Sequence, residues 1–145
     1  MMKNAQQSGK RDVRAVVFLA FLILIGSLSC STKMPAIYTE QGGVRSITDY
    51  EKMAQKEYDE GRYDNAIAVY TAILRHYPFN VEAVTWADYE IGYCHYRLKE
   101  YAQAKVYFRT VANEHQDPAA RTLALQMLDR IGEIEKKGKK RRKEE

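Results

Sequence analysis

With 145 residues the chain is sized for one domain, and its two cysteines exclude a disulfide-stapled scaffold. The net charge of +4 is unevenly spread: residues 1–14 carry +3, residues 136–143 carry +7, and residues 47–135 carry −5. An acidic body between two basic ends argues against a nucleic-acid face on the body, which would need Lys and Arg clustered there.

The first element is an address. Residues 1–14 are polar and basic, residues 15–25 (AVVFLAFLILI) are continuously apolar, and GSLSC follows. That order fits a secretory signal. The apolar run of 11 residues falls short of the roughly 20 that a spanning helix needs; an uncleaved N-terminal anchor is the alternative. The stretch ending at Cys30 resembles a bacterial lipoprotein box, in which the cysteine is lipidated and becomes the mature N-terminus. It departs from the usual pattern in having Ser27 where Leu is common, with Leu28 one place later. Ser27-Leu28-Ser29 also fits ordinary small-x-small cleavage. Residues 1–29 are therefore expected to be a signal peptide and Cys30 the lipidation site. Cys94 is then a lone thiol, expected to be buried. Residues 31–46, with Pro35 and Gly42-Gly43 and no periodicity, extend from Cys30 as a flexible tether over 30–46.

The domain follows at 47–135. Thr48-Asp49-Tyr50-Glu51 predicts a capping box and a first helix that Gly61 stops. A second helix is predicted over Tyr63–His76, ending before Pro78. Asn80 caps a third over about 81–98, and a fourth covers Tyr101–Glu114. Asp117-Pro118 opens a fifth, with Leu123, Ala124, Met127, Leu128, Ile131 and Ile134 on one side and its end near Lys136–Gly138. The basic end, 136–145, is expected to be a disordered, solubilising tail, with binding to anionic headgroups or an acidic partner as the alternative. Nothing competes as a strand, so the fold class is all-α.

The second and fourth helices repeat at a spacing of 38 residues: Tyr63 matches Tyr101, Ala66 matches Ala104, Tyr70 matches Phe108 and Ile73 matches Val111. The small residue belongs where paired helices cross. This pattern resembles the tetratricopeptide repeat, with Tyr70, Ile73 and Pro78 four, seven and twelve residues after Ala66. The second copy has Gln116 in place of the closing Pro. Met53-Ala54 and Ile91-Gly92 fit the family's first-helix Leu-Gly position, and of Tyr50 and Asp88 only Tyr50 fits its aromatic position. The resemblance implies a right-handed α-solenoid of two helix pairs, with the fifth helix as a cap.

Residues 50–111 resemble more specifically the opening repeats of the BamD family, lipoproteins of the outer-membrane β-barrel assembly machinery. The carrying stretches are EYDEGRYDNAI, RHYPF and YEIGYCHYRLKEYAQA. That family has more repeats, so contacts made through its later repeats do not carry over. The resemblance implies a non-enzymatic scaffold on the periplasmic side of the outer membrane, held by its lipid. Its partners would be a BamA-like barrel insertase and other assembly lipoproteins, with unfolded outer-membrane proteins as peptide ligands. The alternative is another periplasmic tetratricopeptide adaptor, serving cell division, wall synthesis or secretion.

No catalytic or cofactor constellation is expected. His76, His95 and His115 are scattered without metal-ligand spacing. Cys94 and His95 diverge on one helix, and Asp88 and His95 lie too far apart to pair. Glu57, Asp59 and Glu60 read as a solvated helix end. The informative element is the third helix. Val84, Ala87, Ile91, Cys94 and Leu98 form one stripe, and Trp86, Tyr89, Tyr93 and Tyr96 form another about 160° away. In the tetratricopeptide family the groove-facing positions align with Trp86, Tyr89, Tyr93, Tyr96 and Arg97, and in the first copy with Thr48, Glu51, Gln55, Tyr58 and Asp59. The resemblance thus implies an aromatic surface for an extended peptide, formed by Trp86, Tyr89, Tyr93, Tyr96, Arg97 and Tyr58. Packing of the same rings against the preceding repeat is the alternative.

Overall fold

The structure, a computed structural model, describes residues 33–144. The expected signal peptide and Cys30 lie outside the described residues. Within them the chain forms five helices: α1 (Ile47–Asp59), α2 (Tyr63–His76), α3 (Val81–Arg97), α4 (Tyr101–Glu114) and α5 (Pro118–Glu144). Each packs mainly on its neighbour in sequence, and α3 also touches α5. This is the all-α repeat architecture expected. No described helix is long and apolar enough to cross a membrane.

The boundaries follow local chemistry. Asn80 accepts from the Ala83 amide at 2.9 Å and Asp117 from the Ala120 amide at 2.7 Å, as capping residues should. The cap of α1 is Ser46 rather than Thr48: the Asp49 amide donates to its Oγ, and that hydroxyl donates to the Asp49 carboxylate at 2.7 Å. An acid three residues after a serine serves the box as well as Thr48 with Glu51 would.

Two cores share α3. The first joins Tyr50 and Ala54 of α1, Ala66, Val69 and Ile73 of α2, and Ala87, Ile91 and Cys94 of α3. The second joins Ala104, Phe108 and Val111 of α4 with Ala120, Ala124, Met127 and Ile131 of α5. Ala66 and Ala104 are fully buried, where their small side chains let the paired helices approach. Cys94 is a free, buried thiol whose pKa burial pushes up to about 12, leaving it protonated and unreactive.

The two turns inside the helix pairs are built alike. Around Gly61 the amides of 60, 61 and 62 donate to the carbonyls of 56, 58 and 57; around Lys99 those of 98, 99 and 100 donate to 94, 96 and 95. The turn needs a left-handed residue, which is Gly61 at φ 74° in one copy and Lys99 at φ 63° in the other. A side-chain pair bridges each turn at the same two positions, with the acid and the basic side chain exchanged. Glu57 receives the Arg62 guanidinium at 2.5 and 3.0 Å, and His95 meets Glu100 at 2.7 Å. Glu57 is accordingly buried and also accepts from Asn65 at 2.8 Å. The solvated reading therefore fails for Glu57, while Asp59 and Glu60 are exposed.

Two further expectations are corrected. The flexible tether is folded from about residue 36 onward. Tyr38 and Val44 form an antiparallel bridge, and Arg45 donates back to the carbonyls of Ala36 and Tyr38, each at 3.0 Å. Gly42, at φ 76°, makes the turn between them. The Tyr77 hydroxyl donates to the Arg45 carbonyl at 2.6 Å, Ile37 packs on the first core, and the Tyr38 ring meets His76 edge-on at 5.5 Å. This strap lies against the end of α2. The segment expected to be a disordered tail is helical as far as Glu144. Gly138 does not stop the helix, because it keeps a right-handed backbone. Lys136 pairs with Glu133, Lys140 with Glu144, and cations at a helix C-terminus are favoured by its dipole.

Two outcomes follow in urea unfolding. Lys99→Gly raises stability by up to about 1 kcal/mol by relieving the left-handed penalty, and Gly61→Lys lowers it by a similar amount. Hydrogen bonding from Arg62 holds the Glu57 carboxyl below its ordinary value near 4.5. A depressed acid stabilises the fold above that value and loses the contribution as pH falls through the folded pKa. Glu57→Gln should therefore flatten the acid limb of the stability profile below about pH 5; an unchanged limb would remove the pair as its source.

Candidate functional site

The aromatic stripe of α3 stands on a close helix contact. A Cβ on Gly92 would lie 3.0 Å from both the Tyr107 Cβ and the Phe108 ring. With no side chain there, α4 closes onto α3 and Phe108 reaches full burial beneath the tyrosines. Tyr89 touches Phe108 at 5.6 Å between centroids.

The rings then run along the helix in continuous contact. Trp86 meets Tyr89 edge-on at 5.9 Å, Tyr89 stacks with Tyr93 at 6.3 Å, and Tyr93 meets Tyr96 at 5.9 Å. The series continues to Tyr101 at 5.9 Å. From α1, Tyr58 joins it through Tyr93 at 5.9 Å and reaches Tyr63 at 5.3 Å. All four stripe rings are half-buried and pack on the second core. Packing therefore accounts for one side of each ring. On their other side, Tyr89 and Tyr93 line an open recess of about 330 Å³ together with Gln55, Tyr58 and Glu90. That is the lower end of the range for ligand pockets.

The structure does not bring all the expected contact residues into this recess. Tyr58, Tyr89 and Tyr93 line it; Trp86 and Tyr96 flank them one turn away along α3. Arg97 is engaged elsewhere: its guanidinium lies 5.3 Å from the Tyr58 ring centroid and 4.9 Å from that of Tyr63, and it donates to the Tyr58 hydroxyl. It clamps the first repeat to the second. Burial pushes the Tyr58 phenol up to about 12 and raises that of Tyr89. Both therefore stay neutral and offer hydroxyls as donors or acceptors.

Glu90 was not singled out from sequence. Burial raises its pKa, and it faces the recess beside three tyrosines. The only signal was its place inside DYEIGY, between the two stripes. Asp88, considered with His95 on the same helix, instead meets His115 Nε2 at 3.0 Å, whose Nδ1 reaches Thr85 at 2.8 Å. The order of hydroxyl, imidazole and carboxylate is that of a nucleophile relay. Here Thr85 is 1% exposed and its hydroxyl donates to the Val81 carbonyl. No substrate atom could reach it, and the three groups serve to tie α3 to the α4–α5 connection.

The tetratricopeptide repeat family model matches residues 57–127, from the last turn of α1 into α5. No curated protein and no solved structure matches the chain.

Because the stripe depends on the α3–α4 approach, Gly92→Ala should cost about 1–3 kcal/mol and disturb the ring stack. Near-ultraviolet circular dichroism and thermal unfolding would register both; wild-type values would mean that the contact relaxes without strain.

Proposed function

We propose that this chain, with its tetratricopeptide repeats over residues 57–127, is a non-enzymatic adaptor that holds partner proteins on the α3 aromatic face. We further propose that it does so as a lipid-anchored scaffold of an outer-membrane β-barrel assembly complex. The observation that carries the adaptor reading is the row of half-buried rings around an open recess. Rigid aromatic surface of this kind gives large contact area at low entropic cost.

Two features support the finer reading. One is the run of sequence stretches that resemble the BamD family, including RHYPF at residues 75–79. In that stretch Tyr77 pins the strap, and Phe79 stands 94% exposed at the α2–α3 turn, where a partner could cover it. The other is the signal-like N-terminus ending at Cys30, which would place the domain on the periplasmic side of the outer membrane. The partners would be a BamA-like insertase, its companion lipoproteins, and unfolded barrel segments lying along the groove.

Affinity purification of the tagged full-length chain from native envelopes, with mass spectrometry, tests this. The insertase should be recovered in stoichiometric amount and lost from a Trp86→Ala, Tyr93→Ala variant that keeps its helical circular dichroism. Division or wall-synthesis proteins in its place would assign the chain to another periplasmic adaptor. In the same cells a labelled fatty acid should mark the wild type and not Cys30→Ser; label persisting in that variant would remove Cys30 as the anchor.

A further inference from the structure

The recess contains an acid with no partner among the described residues. Acids buried elsewhere in the domain are paired: Glu57 with Arg62 and Asn65, and Asp88 with His115. Glu90 is half-buried, yet among the described residues its carboxylate has no hydrogen bond and no ion pair. A carboxylate drawn out of water without a partner is destabilising, and it gains most from a cation that arrives from outside.

The surroundings have the same sense. Glu51 and Asp59 of α1 join Glu90 in raising the pKa of the buried Tyr70 hydroxyl. Asp59 also accepts from Gln55 at 2.7 Å, which fixes that amide at the recess. Of the nearby cations, Arg97 is held on the Tyr58 and Tyr63 rings, and Arg130 acts on Tyr89 from α5. Neither pairs with Glu90. The remaining lining is Tyr58, Tyr89 and Tyr93, and electron-rich rings around a lone acid are the arrangement that holds an organic cation.

We propose that the recess receives the Lys or Arg side chain of an extended partner peptide, with Tyr58, Tyr89 and Tyr93 around its stem and charge and Glu90 as counter-ion. The inference rests on the peptide-groove reading given above and adds the chemistry of the ligand. A peptide fits better than a free amine because the recess is open and the stripe continues past it. Trp86 precedes Tyr89 by three residues and Tyr96 follows Tyr93 by three, offering ring surface to the residues on either side of the basic one. An acidic ligand would meet Glu90, with Asp59 behind Gln55, and neither favours a like charge.

The test uses the full-length protein in detergent micelles and four blocked peptides, Gly-Ser-Phe-Gly-X-Gly-Phe-Ser-Gly, in which X is Lys, Arg, norleucine or Glu. Binding is read from aromatic fluorescence and calorimetry. The Lys and Arg peptides should bind about tenfold tighter than the norleucine peptide, and the Glu peptide weakest of all. The preference for Lys should nearly vanish in Glu90→Gln, which keeps side-chain size, and should shrink as salt rises from about 0.05 to 0.5 M. A Glu peptide binding as tightly as Lys would overturn the inference. So would a Lys preference that survives in Glu90→Gln or ignores salt. If the norleucine peptide binds as well as Lys and loses affinity in Trp86→Ala, the cation site fails and the groove stands. If none of the four binds, both fail.

Discussion

A helix that is apolar on two opposite sides has to be covered twice, and α3 is covered by α1 and α2 on one side and by α4 and α5 on the other. Remove either cover and a stripe of large side chains meets water, at about 25 cal/mol for each Å² exposed. The helix pairs on the two sides of α3 therefore depend on each other through one element. Ile91 and Cys94 commit α3 to the first core, and Gly92, between them, lets Phe108 of the second core close in from the other side. The aromatic face is what remains when this double burial is complete. Its rings are too large to be swallowed and are left half in contact with protein and half open.

The two turns repeat the backbone solution and change the side chains. Left-handed geometry, three returning amides and a bridging side-chain hydrogen bond recur at a 38-residue offset, with Gly61 replaced by Lys99 and the acid and base exchanged. The geometry is thus specified by hydrogen bonding, and the pair needs opposite partners in either order. Arg97, packed on Tyr58 and Tyr63, then ties the end of the second copy's first helix to the turn of the first copy.

What could be read from sequence was set by short-range chemistry. Asn80, Asp117-Pro118 and Pro78 act on residues within one turn of themselves, so the ends of α2, α3 and α5 could be placed from them. The repeat register was visible because Ala66 and Ala104 must be small. What escaped depends on partners far along the chain. The strap looked like a linker because its anchor, Tyr77, is 32 residues from Arg45. Glu90 drew no reading of its own, since its lack of a partner is a fact about where the other helices lie. The basic end looked too charged to order itself. A helix needs only its own backbone and a few spaced ion pairs, and Glu133 and Glu144 supply these.

That last helix has a consequence for the field around the molecule. Ile131 is its last fully buried residue, and the seven basic side chains of 136–143 follow on an exposed, ordered rod. Their centre lies about 13 Å beyond Ile131 along the axis. At physiological salt the screening length is about 8 Å. Beyond the Lys136–Glu133 pair at its root, the positive end is therefore screened from most of the −5 body, and the two neutralise each other only in part. The domain behaves as a stiff dipole rather than as a weakly basic sphere. Near a negatively charged lipid surface such an object experiences a torque: the rod is drawn down and the acidic body is pushed away, so that orientation, before any specific contact forms, is already biased by charge alone.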